Sequence, residues 1–324
     1  MRIFLTGATG YIGSALCRRL ARQGHELRAL VRSTSRVEEL RSLDVRLFEG
    51  DITDRYSMRE GMSGADWVVH AAAELDFEAS LDRMRPVNAE GSHNVASLAN
   101  KLGAGRFLSI SSIARYGGSP ADGSPATEES PLQLPLPSNY SLTKHEGELA
   151  IQHQAEQGLK VNTVFPSLVY GPPVKGQGAN TLLKALVRGR LPVVAGADRK
   201  TTWIYLEDLV EGILRVMERA EPGRNYLLTG EMVRIGDLVE RVCGLAGVGV
   251  PRWRLSVAAA RALTALTAPL YRWRGRRPSP SPEQLKSLAR HWNFDDTRAR
   301  TELDWKPRRL QEGLPPTVAA LERS

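Results

Sequence analysis

Cysteine is nearly absent: the chain of 324 residues has only Cys17 and Cys243. They lie far apart, with no ligand-like spacing. That argues against a disulfide framework and against a zinc site, so no metal is expected. It fits a reducing compartment, the cytoplasm. Long apolar runs are also missing, so no segment reads as spanning a bilayer. No secretory signal is visible, because the first residues already read as a strand. Acidic residues fall short of basic ones, leaving a net charge of +8. The basic residues are mostly scattered; the dense exception is Arg272, Arg274, Arg276 and Arg277. No nucleic-acid-binding motif accompanies them, and an anionic small molecule or a solvated surface explains the balance as well. Nucleic acid is therefore not an expected partner. Hydrophobic residues make up 42% and charged residues 25%, which is ordinary for a soluble globular chain. This length allows one large domain plus a smaller appended part.

What is present begins at the N-terminus. Ile3-Phe4-Leu5 reads as a buried strand. Gly7, Gly10 and Gly13 follow as G-x-x-G-x-x-G, with Thr9, Tyr11 and Ile12 between them. A helical run then covers 14–23. Strand, glycine turn and helix together place a helix N-terminus against a phosphate, where free amides and the helix dipole attract anions. The glycines permit the tight turn and the close approach of a pyrophosphate.

The second strand, 25–31, ends without an acid. Val31 stands where a carboxylate would bind the adenosine ribose, and Arg32 and Arg36 follow. A guanidinium there pairs with a 2′-phosphate, which favours NADP(H) over NAD(H). The plain alternative is that both arginines are surface charges. After a third strand, 45–48, Asp51 is placed to accept from an adenine amino group, with Ile52 against the ring. A fourth strand beginning at Asp66 runs into Ala71-Ala72-Ala73, small enough for a cofactor to lie flat over the strand ends. A fifth, 106–111, leads to Ser111-Ser112 and Tyr116-Gly117. Strands alternating with helices indicate an α/β fold with a doubly wound parallel sheet. Residues 118–138 are rich in Pro, Ser and Gly and read as a loop over the site. Tyr140 and Lys144 follow on one helical face, four residues apart. A cation beside a phenol lowers the phenol's pKa, which makes Tyr140 a candidate proton donor and acceptor.

In order along nearly the whole chain, these motifs resemble the extended short-chain dehydrogenase/reductases. The matching residues are Thr6 to Gly13, Gly50-Asp51, His70-Ala71-Ala72, Val87-Asn88 with Gly91, Ser111-Ser112 with Tyr116-Gly117, and Tyr140-x-x-x-Lys144. Pro166 to Pro172 and Tyr205 to Val210 extend the match. The resemblance implies a Rossmann-type core, mainly 1–170. It implies a C-terminal substrate-binding subdomain, mainly 171–324, with a core segment returning near 200–230. It also implies that Tyr140 exchanges a proton with the substrate oxygen while Ser112 hydrogen-bonds that oxygen. Lys144 would bind the nicotinamide ribose, and Asn88 would support a relay. Pro166 and Val169 would lie along the nicotinamide. A homodimer through the Tyr140 helix and the one before it is a further implication.

The resemblance leaves two enzymatic readings open. One is an NADP-favouring reductase or dehydrogenase for a bulky, apolar ketone or alcohol. The other is a nucleotide-sugar epimerase or dehydratase with tightly held NAD. Sugar-nucleotide enzymes carry an arginine where this chain has Thr201, and often another where it has Phe165; Arg199 and Lys200 stand nearby. A dehydratase needs a carboxylate after Ser112, where Ile113 and Ala114 stand. A cofactor-sensing protein without turnover is a third possibility, disfavoured by retention of Ser112, Tyr140 and Lys144. The apolar run 256–271, followed by the arginines, has the length of a core helix of the smaller part. A lid or a peripheral membrane contact through 256–277 are its other readings.

Overall fold

The computed structural model describes residues 1–173, 179–273 and 280–324. Twelve strands run in chain order: β1 (Arg2–Thr6), β2 (Glu26–Val31), β3 (Arg46–Glu49), β4 (Trp67–His70), β5 (Arg106–Ile110), β6 (Val161–Pro166), β7 (Leu168–Tyr170), β8 (Val193–Ala195), β9 (Lys200–Tyr205), β10 (Tyr226–Leu228), β11 (Glu231–Arg234) and β12 (Trp253–Leu255). Seven of them form one sheet in the order β10-β6-β5-β4-β1-β2-β3, every pair parallel. The chain moves outward from β1 to β3, then crosses back to β4 on the other side of β1. That reversal opens a crevice at the carboxyl ends of β1 and β4, where doubly wound sheets take ligands. β4 stops at His70, paired with Thr6. Beyond Thr6 the first strand turns away through Gly7, so Ala71 to Ala73 have no ladder partner and form the turn.

The helices are α1 (Tyr11–Arg22), α2 (Glu38–Ser42), α3 (Arg59–Met62), α4 (Leu81–Arg85), α5 (Gly91–Lys101), α6 (Asn139–Glu156), α7 (Ala179–Val187), α8 (Leu206–Arg219), α9 (Ile235–Leu245), α10 (Val257–Trp273), α11 (Pro282–Leu288), α12 (Thr297–Glu302) and α13 (Leu310–Glu322). One face of the sheet packs Ile3 and Leu5 against Leu16 and Leu20 of α1 and Leu209 and Ile213 of α8. The other packs Phe4, Val68 and Phe107 against Met62, Val95 and Ile151. Each such side chain contributes about 1.5–3 kcal/mol through burial. Ala299, Leu303 and Trp305 join the first of these cores, and Trp305 donates its indole N–H to the Asp208 carbonyl at 2.8 Å. A separate core holds Tyr170, Leu183, Trp203, Leu238 and Leu314, around the small sheet β11-β9-β7.

The apolar helix α10 departs from the core-helix expectation. Val257, Ala260 and Thr264 are buried, but Leu263 and Leu266 are 49% and 80% exposed, and Ala258, Ala259, Ala262 and Ala265 are exposed with them. Among the described side chains of α10, the buried ones form a narrow stripe. The side chain of Arg272, and all of Arg274, Arg276 and Arg277, lie outside the described residues. Among the described residues, no helix is long and apolar enough to cross a membrane.

Candidate active site

The glycine turn is shaped by exclusion. Gly7 sits at φ +72°, and a Cβ there would lie 2.6 Å from the Ala71 carbonyl carbon and the Ala72 nitrogen. A Cβ on Gly13 would meet the Gly7 oxygen at 2.2 Å, whereas one on Gly10 meets only that oxygen, at 3.1 Å. The Gly10 amide donates to the Gly7 carbonyl at 2.9 Å, closing the turn. α1 then starts with no side-chain cap and no acid in its first turn. Uncapped amides and the dipole end of a twelve-residue helix suit a pyrophosphate. The geometry therefore fits a dinucleotide at Gly7, Thr9, Gly10, Ile12 and Gly13.

The neighbouring residues divide. The Tyr11 hydroxyl donates to the Gly171 carbonyl, so its side chain ties α1 to the end of β7. Arg32 and Arg36 are exposed at the end of β2, and neither guanidinium is paired with an acid among the described residues. Asp51 turns its carboxylate onto its own loop, accepting from the Thr53 amide and hydroxyl, each at 2.9 Å. Ile52 is 5% exposed and packs against Gly91, so its side chain is core. Ala71, Ala72 and Ala73 line the turn after β4, where Ala72 donates to the Thr6 hydroxyl at 3.4 Å. Pro166 is buried at the end of β6, opposite Leu228. Val169 pairs with Ile204.

The catalytic candidates converge on the far side of the crevice. Ser112 follows β5, and its hydroxyl accepts from the Ala114 amide at 3.1 Å and lies near enough to the Tyr140 phenol to favour its ionisation slightly. Ser138 caps α6 through the Ser141 amide, which sets Tyr140 in the first turn. Gly147 lets α6 approach: a Cβ there would lie 2.3 Å from the Asn88 carbonyl. Asn88 occupies a π-helical turn, Pro86–Glu90, a distortion common at functional sites. Its amide oxygen accepts from the Glu74 amide at 2.8 Å. Its nitrogen donates to the Glu74 carbonyl at 3.2 Å and the Thr143 hydroxyl at 3.1 Å. Asn88 thus clamps the 71–80 loop to α6 and does more than cap a helix.

Protonation in this corner is governed by burial. Tyr140 is pushed up to about 12 by desolvation, with the Ser112 hydroxyl pulling weakly the other way. The lowering expected from Lys144 is not what the free protein has. The Lys144 ammonium is itself buried, 3.5 Å from the Ile110 carbonyl, and desolvation brings it down to about 8 against the opposing pull of Glu148. Glu148 continues the Tyr140–Lys144 stripe by four more residues, a spacing visible in the sequence. It is buried, accepts from the Thr163 hydroxyl at 3.1 Å, and is shifted upward by burial. His70 bonds Thr6 at 2.8 Å and Ser92 at 3.0 Å. Burial and then Lys144 drive it down to about 3, so it stays neutral.

A family model described as the NAD dependent epimerase/dehydratase family matches residues 3–236. The chain belongs to that family. It is an extended short-chain dehydrogenase/reductase, an enzyme of the kind that works with a nicotinamide cofactor. Two curated members resemble it over most of their length. A 4-hydroxy-2-methyl-3-oxo-4-farnesyl-3,4-dihydroquinoline-1-oxide ketoreductase of Stigmatella aurantiaca is 28% identical, over 97% of this chain and 95% of the relative. A 2-alkyl-3-oxoalkanoate reductase of Stenotrophomonas maltophilia is 27% identical, over 97% of both. Among solved family structures, the dTDP-glucose 4,6-dehydratase DesIV of Streptomyces venezuelae, with NAD and TYD bound, has a TM-score of 0.81. It is 22% identical and covers 100% of this chain and 98% of that one. At that identity the likeness is one of fold.

Proposed function

We propose that this enzyme interconverts a ketone and a secondary alcohol on a bulky, apolar substrate, with NADP(H) as cofactor. The observation that carries this reading is the surroundings of Tyr140. The phenol is packed among Ala79, Met84 and Ala114, with Phe77 against its ring, so an apolar body is what this corner solvates best. The ketoreductase and oxoalkanoate reductase names fit that chemistry. Cations that could serve a sugar diphosphate are committed elsewhere. Arg199 contacts the His291 ring at 3.0 Å, and Lys200 donates to the Gly123 carbonyl at 2.9 Å. Thr201 accepts from the Trp203 indole at 2.9 Å, and Phe165 is buried against Tyr116.

In this reading the bound cofactor supplies the hydride. Tyr140 donates the proton to the carbonyl oxygen in the reducing direction, and Ser112 holds that oxygen. Lys144 stays charged near neutral pH and attracts the cofactor's ribose hydroxyls. Arg32 and Arg36, exposed and unpaired with acids, are the groups that would meet a 2′-phosphate. Two free, buried cysteines suit cytoplasmic work. α5 and α6, with Leu149 49% exposed, are the proposed homodimer face. The exposed apolar arc of α10 is the proposed membrane contact.

The test is direct. Purified protein is denatured to release any bound nucleotide, then titrated with NADPH and NADH, then given each with a panel of steroid, flavonoid and 3-oxoacyl ketones. Exchangeable NADPH and turnover of an apolar ketone support the reading. Retained NAD, with no net redox turnover, moves the assignment to a sugar-nucleotide epimerase.

A further inference from the structure

Phe77 lies in the 71–80 loop, beyond the Ala71-Ala72-Ala73 motif and outside every motif in the sequence. Its ring meets the Tyr140 ring edge-on, centroids 4.9 Å apart at 62°. Tyr140 is 6% exposed, yet Phe77 on top of it is 41% exposed. One face of the phenylalanine therefore seals the phenol while the other faces outward. The loop is pinned on both sides of Phe77. Asn88 holds Glu74 by its amide and carbonyl, and Asn139, next to Tyr140 on α6, donates to the Ala79 carbonyl at 3.1 Å. Between those pins, among the described residues, Ser281 of the C-terminal part of the chain donates to Glu78. Ser281 is also the N-cap of α11, in a capping box with Gln284. The neighbouring cleft of about 520 Å³ is lined by residues of 134–142 with Glu283 and Lys286, and none of Ser112, Tyr140 or Lys144 opens into it. Phe77 therefore lies between the Tyr140 ring and the outside on this side.

We propose that Phe77 is a specificity-determining residue that covers Tyr140 and selects ketones whose carbonyl carries a flat or branched apolar group, with the Glu78–Ser281 bond holding the cover closed. The inference rests on the ketone reductase reading and adds the residue that sets its preference. Such a substrate trades the aromatic edge contact of Tyr140 for its own contact with Phe77 and loses little. A small polar ketone breaks the same contact without replacing it. Aromatic pairing and a pocket difference of this size correspond to about tenfold in kcat/KM.

The experiment compares wild type with Phe77→Ala, Phe77→Leu and Ser281→Ala, using NADPH and two ketones, one aryl-substituted and one small and hydroxylated. NADPH affinity within twofold of wild type verifies the fold in each variant. Phe77→Ala should lower the aryl-to-small kcat/KM ratio about tenfold, mainly through KM, with Phe77→Leu intermediate. Ser281→Ala should raise kcat/KM for both ketones and leave the ratio alone. An unchanged ratio in Phe77→Ala overturns the proposal. A second measurement needs no turnover: the phenol titration of Tyr140, read near 295 nm as the difference between each protein and its Tyr140→Phe counterpart. Removing the cover should bring Tyr140 down toward its ordinary range; an unmoved titration overturns the proposal as well. If wild type reduces neither ketone, the reductase reading falls, and this titration alone decides whether Phe77 is the cover.

Discussion

The glycine turn after β1 and the catalytic corner after β5 border one crevice but are made of opposite materials. The turn is all backbone: Gly7 and Gly13 leave no room for a Cβ, and what binds there meets amides. The corner is all side chain: Ser112, Tyr140 and Lys144 are held by packing, and their protonation follows their burial. Steric exclusion tolerates no substitution and needs no fine adjustment. Burial tolerates substitution but sets a proton affinity that any neighbour can move. Damage to the turn should therefore appear in cofactor binding, and damage to the corner in turnover.

The sharpest separation should come from Tyr140→Phe. The ring and its packing remain, and the proton donor is gone. Turnover should fall about 10²–10⁴-fold while NADPH affinity, by fluorescence titration, stays within twofold. Activity within tenfold of wild type would remove Tyr140 from the chemistry. Gly13→Ala should do the converse. Forcing a methyl against the Gly7 carbonyl costs about 1–3 kcal/mol, and NADPH affinity should fall at least tenfold. An unaltered dissociation constant would show that the turn does not hold the pyrophosphate. Arg32→Asp tests the rim of the same region. Loss of a charge-assisted contact worth about 1.5–3 kcal/mol should weaken NADPH about tenfold or more relative to NADH. Equal weakening of both would leave Arg32 a surface charge.

The last effect concerns stability, away from both cofactor binding and turnover. His70 is brought down to about 3 from an ordinary 6.5 by burial and then by Lys144. The unfolded chain takes up a proton near 6.5 that the folded chain refuses until about 3. Stability is thus complete above 6.5 and declines as pH falls through that window, by up to about 1.4 kcal/mol per pH unit. Urea midpoints measured from pH 7 to pH 4 should show the decline, and His70→Gln should flatten it. Identical slopes in the two proteins would assign the acid sensitivity elsewhere.

Much of this was legible because it is local. The glycine spacing and the Tyr140–Lys144 step are signals within a few residues of each other, and the parallel sheet follows from alternating strands and helices. What was not legible depends on distant contacts. Nothing around Asn88 announces that it clamps Glu74 and Thr143. Composition places α10 in a core, yet among its described side chains Val257, Ala260 and Thr264 are the buried ones. Lys144 suggests an acidified phenol, but the walls that bury the phenol come from Ala79, Met84 and Ala114, two of them more than fifty residues upstream. Ile52, expected against an adenine ring, packs against Gly91, where a Cβ would lie 2.7 Å from its Cδ1, a neighbour nearly forty residues away that its own motif does not announce.

The seventh strand has a consequence for synthesis. β6 completes its pairing only when β10, Tyr226–Leu228, arrives to lie beside it. Until more than two thirds of the chain has left the ribosome, Val161–Pro166 is a free edge, six residues that the folded protein buries, with β5 on one side and nothing on the other. Such an edge is a template for pairing with another chain. Fragments ending near residue 200 would contain the glycine turn, Ser112, Tyr140 and Lys144, yet would carry that open edge. The first half carries Gly7, Ser112, Tyr140 and Lys144, and a strand of the second half covers the edge that would otherwise stay open.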